Sequence, residues 1–400
     1  MSRASCSETS TPAIQHHQFV AELSLDLRKR FLHGSQLSRP YQTGDNMRDP
    51  TKMYSTGWAL FLYNGASCCS SNIHLGYDGL GCLAEARKWF TINSLFTAPV
   101  TLIINAPFGR FTPKDQSSIF LVDGVKSWIL MELVSPFTFI YTFLTSPLSV
   151  QAPPLPSLTE PHAILALCFL IHYTNRALVN PLRTSSRSKA HLIVTLSGVT
   201  FNILNGCLMG SYLSSPFARI YLAAGPRSSF YVGLTLWVLG LAGNIWHDEI
   251  LLDIRRKAKS KGKSKVVHGM EVDGSRARTE HYAIPHGGLY SLISYPNYFC
   301  EWIEWFGFAL AAAPFPFQLS HLKGFTFALV TSKIFDPQTY TSILKMPAQN
   351  FAPDLSPPWI FLLTEIVLML PRAYRGHQWY HEKFRDSYPQ SRKAVIPFIL

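Results

Sequence analysis

Seven apolar runs constrain this chain more than any other feature. They lie at Trp89–Phe108, Ser127–Leu144, His162–Leu182, His191–Leu213, Phe230–Leu251, Leu289–Ala313 and Trp359–Tyr374. Each is about long enough for a tilted or partly buried membrane span. Composition agrees. Charged residues make up 15% of the chain and Phe alone numbers 27, against about 25% charge in an ordinary soluble domain. The runs predict an all-α, polytopic membrane protein with about seven transmembrane helices enclosing a pocket.

The loops orient those helices. Lys and Arg total 36 against 24 Asp and Glu, and the excess sits between the apolar runs. That placement suits membrane orientation and an anionic ligand rather than nucleic acid. Arg110, Lys114 and Lys126 follow the first run, and Arg183, Arg187 and Lys189 the third. Nine Lys or Arg lie in 253–278 after the fifth. Arg375, Lys383, Arg385, Arg392 and Lys393 follow the seventh, with Arg372 at its margin. The connection at 146–161 has none. The positive-inside rule therefore places the C-terminus in the cytosol. Arg87 and Lys88, before the first run, argue the other way.

Outside the runs, residues 1–88 read as a polar, irregular N-terminal extension with no signal-peptide core in the first 30. Residues 89–400 form the membrane domain, with loop insertions at 257–280 and 314–358. Cys168, Cys207 and Cys300 sit in apolar surroundings and read as packing residues. Cys68, Cys69 and Cys82 lack metal-ligand spacing. "GLGCLA" (79–84) imitates a dinucleotide fingerprint, but no strand precedes it. His377 and His381 share a helical face without the Glu of a zincin.

Polar residues inside the runs carry the functional signal. In "SYPNYFCEWIEWFGFAL" (294–310), Asn297, Glu301 and Glu304 stand at i, i+4 and i+7, one face of a helix. Two central carboxylates cost about 5–7 kcal/mol on an insertion scale, and the Leu, Ile and Phe residues of 289–310 offset roughly 2–5 kcal/mol. The stripe must face a partner, a cavity or a ligand. Glu132 is the lone carboxylate of the second run, open to a structural role opposite an Arg. His172, Tyr173, Asn175, Arg176 and Asn180 crowd the end of the third. An Arg at that depth answers a carboxylate or a phosphate. Asn244, Asp248 and Arg255 form a stripe on the fifth. Pro285, Gly287 and Gly288 break the chain beside Tyr282, leaving N–H groups that suit a phosphate or amide, or a plain turn. Arg372, Arg375, Tyr380, Arg392 and Lys393 could anchor at the membrane surface or clamp an anionic cofactor.

"MELVSP", "LIHY", "TFNILNG", "GNIWHDEIL", "IPHGGLYSLISYPNYFCEWIEWFGFAL" and "RKAVIPFIL" together resemble the steroid 5α-reductase family, with the plant brassinosteroid-pathway reductases closest in motif. The likeness covers about 105–400. It implies a seven-helix reductase of the endoplasmic reticulum membrane that uses NADPH to reduce the C4–C5 double bond of a 3-oxo-4-ene steroid. By position, Glu132 and Tyr173 would hold the 3-oxo group. Asn244, Asp248, Arg255, Tyr282, Asn297, Glu301, Arg372 and Tyr380 would line the cofactor site, and no metal is implied. Ala283, Asn175, Asn180 and Gly376 depart from the family pattern. Rival readings are a very-long-chain enoyl-CoA or polyprenol reductase, a non-enzymatic sterol-binding protein, and a membrane methyltransferase.

The charge bias makes a substrate-free prediction. A glycosylation acceptor placed near Ser260 stays unmodified, and one placed in 146–161 is glycosylated. Modification at Ser260 inverts the topology.

Overall fold

Every apolar run meets a helix, and the local sequence accounts for where each helix begins and ends. A computed structural model describes residues 77–103, 120–151, 153–184, 187–224, 227–267, 282–316 and 336–400. Most of the expected N-terminal extension lies outside the described residues, as does much of the 257–280 and 314–358 insertions. The helices are α1 (Tyr77–Ile103), α2 (Gly124–Thr145), α3 (Pro161–Thr174), α4 (Asn180–Arg183), α5 (Leu192–Ser214), α6 (Pro216–Ala223), α7 (Ser228–Val267), α8 (Pro296–Ala312), α9 (Pro337–Lys345) and α10 (Pro357–Phe384). A π-helical turn, Asn175–Val179, joins α3 to α4. The departure from an all-α plan is small. β1 (Leu121–Val122) and β2 (Ala190–His191) pair antiparallel, Leu121 opposite His191.

Four helical segments are long and apolar enough to cross a membrane: α2, Pro161–Arg183, α5 and the Ser228–Ala258 part of α7. The helices at the other three runs, α1, α8 and α10, fall short by that measure. α8 has 17 residues, and α10 carries Glu365, Arg372 and Arg375. Some ends move relative to the sequence reading. α1 starts at Tyr77, so "GLGCLA" is helical rather than a phosphate-binding turn. α7 runs 16 residues past Leu251, into a stretch of Lys, Arg and Ala with strong helix propensity. Arg256 adds ion pairs to Asp253 at 2.9 Å and Glu249 at 2.6 Å. α8 begins only at Pro296, whose fixed φ and missing N–H suit the first helical position.

Two helix pairs frame the interior. α2 and α5 run parallel from the β1–β2 ladder, with Gly206 and Gly210 set against Ser135, Phe139 and Thr142. α7 and α8 run antiparallel and closer still. A Cβ at Gly240 would collide with the Glu304 backbone nitrogen and the Cys300 carbonyl. Glycine there lets α8 lie flush, which places its carboxylate stripe in the interior. Aromatic contacts join the pairs through α3: Phe139 stacks on Phe169 at 4.2 Å, and Phe169 meets Trp305 edge-on at 6.0 Å. Cys168 and Cys300 are free and buried, as packing requires. Cys207, expected to do the same, is disulfide-bonded.

Arg87 and Lys88 have a local task that removes them from the charge bias. Arg87 donates to the carbonyls of Ala352 (2.6 Å), Phe351 (2.7 Å) and Leu355 (3.1 Å). Lys88 donates to Leu344 and Met346. They fasten α1 to the segment that leads into α10. The basic stretches after α4 and within α7 meet at one end of the bundle, where Arg183 pairs with Glu249 at 2.6 Å.

The C-terminal strand of chain returns to the entrance of α8. Ser294 N–H donates to the Lys393 carbonyl and Tyr295 N–H to Ala394. The Ser294 hydroxyl contacts His377 Nδ1 and the Tyr388 hydroxyl, both at 2.6 Å. Burial, then the neighbouring His381 and Lys393, push His377 down to about 4. An unfolded His takes a proton near pH 6.5, so native docking binds fewer protons between pH 4 and 6.5. Docking is therefore at full strength above pH 6.5 and weakens as pH falls toward 4. Amide protection factors at Lys393–Val395, exchange rates corrected for the intrinsic pH dependence, should fall as pH drops across that window, and His377→Gln should flatten the dependence. An unchanged profile in that variant assigns the effect elsewhere.

Candidate active site

One guanidinium organises the polar interior. Arg176 sits on the π-helical turn, two residues beyond the end of α3. It donates from Nε to Glu132 Oε1 at 3.1 Å and from Nη1 to Glu301 Oε1 at 2.7 Å. Such single-turn π-bulges recur at functional sites. Pro181 helps, because it has no N–H to give back along the helix. The Arg176 carbonyl takes the Trp128 indole N–H instead, at 3.3 Å. Trp128 also forms a platform for the guanidiniums of Arg176 and Arg187, at 5.3 and 4.1 Å.

The α8 stripe is buried as its cost required. Glu301 is 3% exposed and Glu304 is 0% exposed. His172, one turn before Arg176, approaches Glu304 Oε1 at 2.7 Å through Nδ1. Glu304 Oε2 has no hydrogen-bond partner among the described residues. Asn244 donates to the Asn297 carbonyl at 3.0 Å and to Glu301 Oε2 at 3.3 Å. Asp248 accepts from Asn297 at 2.9 Å and from Asn180 at 2.6 Å. The five predicted residues Glu132, Asn244, Asp248, Asn297 and Glu301 thus share one connected network. Asn180, a departure from the family pattern, is part of it.

Tyr173 is held from the other side, by α5. Its hydroxyl oxygen accepts from Asn205 Nδ2 at 2.7 Å, and its contact with Asn202 Oδ1 is long, 3.5 Å. Ser135 of α2 is a further hydrogen-bond partner of this hydroxyl, so polar side chains of two helices fix its position. Asn202 and Asn205 were missed in the sequence. Two amides three residues apart in an apolar helix were the available signal. Glu132 lies in reach of both Arg176 and the Tyr173 neighbourhood. With Arg176 donating to it, it serves as the partner of an arginine, the structural alternative left open by its position.

The remaining predicted residues gather beyond this network. Burial, then the nearby Arg255, push Arg187 down to about 10. Two neighbouring guanidiniums, past the third and the fifth apolar runs, suit an anion. Arg372 Nε donates to the Tyr298 hydroxyl at 3.2 Å. Tyr380 stacks on Tyr388, at 5.3 Å between ring centres. Tyr282 meets Trp379 edge-on, with the Lys383 ammonium 4.7 Å over its ring. Gly376 gives space to the Tyr295 ring, which any side chain there would strike. The Pro285–Gly288 turn is tied down: Leu289 N–H donates to His247 Nε2 at 3.0 Å. Buried Arg392 leaves Nε and Nη1 without a hydrogen-bond partner among the described residues. These cations, amides and aromatic rings are a donor set that fits a phosphate-bearing nucleotide.

Comparisons with known proteins bear on the family of the chain. The signature of a family described as 3-oxo-5-alpha-steroid 4-dehydrogenase matches residues 188–345 and 350–400. The uncharacterised protein C9.08c of Schizosaccharomyces pombe is 37% identical over 76% of this chain and 94% of its own length. The 3-oxo-5-alpha-steroid 4-dehydrogenase 1 of Rattus norvegicus is 30% identical over 74% of this chain and 87% of its own. The steroid 5-alpha-reductase DET2 of Solanum lycopersicum, representing the plant enzymes toward which the motifs leaned, is 29% identical over 74% and 88%.

Removing Arg176 tests the network. Arg176→Ala leaves two buried carboxylates without their cation and should cost about 2–4 kcal/mol. Arg176→Lys, able to answer one of them, should cost less. Thermal unfolding in detergent reads both. Equal midpoints for all three proteins would discard the organising role.

Proposed function

The chain belongs to the 3-oxo-5-alpha-steroid 4-dehydrogenase family, oxidoreductases that act on CH–CH bonds, and on that premise we propose that it reduces the C4–C5 double bond of a 3-oxo-4-ene steroid with NADPH. The observation that carries the reading is the Tyr173 hydroxyl. Its oxygen is fixed by Asn205, and it stands near Glu132 and Arg176. An enone accepts hydride at its β-carbon when its carbonyl oxygen is polarised. Tyr173 donates to that oxygen as negative charge develops there, and Glu132, with the Arg176 guanidinium that it holds, helps fix the 3-oxo group beside it. In a dry pocket such donors are worth several kilocalories. When bound, NADPH supplies the hydride. Asn244, Asp248, Asn297 and Glu301 orient its polar groups, while Arg255, Tyr282, Arg372 and Tyr380 hold its charged and aromatic parts.

The membrane setting follows the same reading. The bundle crosses the endoplasmic reticulum membrane seven times, with α1, α8 and α10 completing the four strongly apolar segments. The C-terminus and the nucleotide end face the cytosol, and the steroid enters from lipid. Burial against neighbouring helices is what lets α8 and α10 cross with their carboxylates.

Purified protein with NADPH, offered a panel of 4-ene-3-oxo steroids and enoyl-CoAs, should yield steroid products two mass units heavier. Turnover of enoyl-CoA alone overturns the substrate assignment. Tyr173→Phe and Glu132→Gln should each lower kcat by about 10²–10³-fold with NADPH affinity unchanged. Asn297→Ala, Glu301→Ala and Arg372→Ala should weaken NADPH binding more than steroid binding. A rise confined to the steroid KM would move those three residues out of the cofactor site.

A further inference from the structure

Reduction of an enone needs a proton at the α-carbon as well as a hydride at the β-carbon. The groups around Tyr173 can be sorted by what already holds them. Glu132 and Glu301 are held by Arg176, and Glu304 by His172. Asp248 is held by Asn180 and Asn297. One ionisable side chain is left. Glu365 of α10 is 8% exposed. It makes no side-chain hydrogen bond among the described residues. Yet it interacts electrostatically with Glu301, Arg176, Glu132 and Glu304, and with Tyr173.

Its position on α10 is informative. Residues 365, 372 and 380 are separated by seven and eight, so they share a helical face. The face that carries Arg372 and Tyr380 continues inward to Glu365. This residue lies where the proposed cofactor face meets the side chains that hold the carbonyl. A buried carboxyl with no cation or amide of its own is stable there as the neutral acid, or against a ligand.

We propose that Glu365 is the acid that protonates the α-carbon, an inference that rests on the enone reduction proposed above. Once the β-carbon has received hydride from the reduced nicotinamide nucleotide, the π pair of the C=C bond has moved toward the carbonyl and an enolate is formed. The enolate α-carbon takes the carboxyl proton of Glu365. The enolate electron pair makes the new C–H bond, the O–H bond breaks, and the carbonyl reforms. Glu365 is left as a carboxylate in the field of Arg176 and regains its proton from water.

Read in reverse, the same group must remove the α-proton of the saturated ketone, and that requires no nucleotide. A 3-oxo-5α-steroid labelled with deuterium at C4 is incubated with the protein in ordinary water without cofactor, and label loss is followed by mass spectrometry. The wild-type protein should wash out the C4 label. Glu365→Gln should slow that loss by about 10²-fold or more while still binding NADPH. Loss at the wild-type rate in this variant overturns the assignment, as does a wild-type protein that reduces the enone but exchanges nothing. If the glutamine variant does not fold, Glu365→Asp decides. It keeps the acid but withdraws it by one methylene, so exchange about tenfold slower supports the role and an unchanged rate removes it. A wild-type protein that neither reduces nor exchanges any steroid rejects the proposed function itself.

Discussion

The interior depends on the double ion pair of Arg176. Glu132, Glu301, Glu304 and Glu365 come from three helices and are all buried. Like charges at such depth repel, and each pays a desolvation penalty of several kcal/mol unless it is paired or neutral. One guanidinium with a planar fork can answer two carboxylates at once, which a lysine cannot. Its placement depends in turn on the π-helical turn and on Pro181. A change in either would shift the fork away from Glu132 or Glu301. Many of the polar contacts in the bundle, from Asn244 to His172, are arranged around that bridge.

Backbone approach is the second requirement. α8 reaches the bridge because glycines on α7 let it lie flush, with Gly240 against Glu304 and Gly243 against Cys300. α5 lies against α2 by the same means, through Gly206 and Gly210, and presents Asn205 to Tyr173. Membrane helices have little hydrophobic reason to associate, so close packing and buried polar contacts must supply the association. Small residues and carboxylate stripes are therefore two parts of one device. The small residues bring the backbones together, and the polar groups then have only each other or a ligand to satisfy them.

Several findings that the sequence did not show share one cause. Glu132 stood alone in its run, and its pairing with Arg176 joins residues 44 positions apart. Arg87 and Lys88 looked like topology signals, but they cap carbonyls more than 250 residues away. Glu365 was visible as a carboxylate in an apolar run, the same cue that singled out Glu132, yet no neighbour in sequence marked it. The loop expected at 257–280 begins as helix because its Lys, Arg and Ala residues favour helix, whatever their charge does for topology.

The sequence by itself determined the helical membrane character and the family, and it singled out the polar side chains set inside the apolar runs. Those properties are local: a run of apolar residues, a stripe at i, i+4 and i+7, a set of motifs. Asn244, Asp248, Asn297 and Glu301 were legible because two helices each present their own stripe. Only the tertiary structure decided the pairings, because a hydrogen bond between helices depends on crossing geometry and register that no single helix encodes. It chose Arg176 as the partner of Glu132 and Glu301, set Asn205 behind Tyr173, and left Glu365 without a partner at the centre.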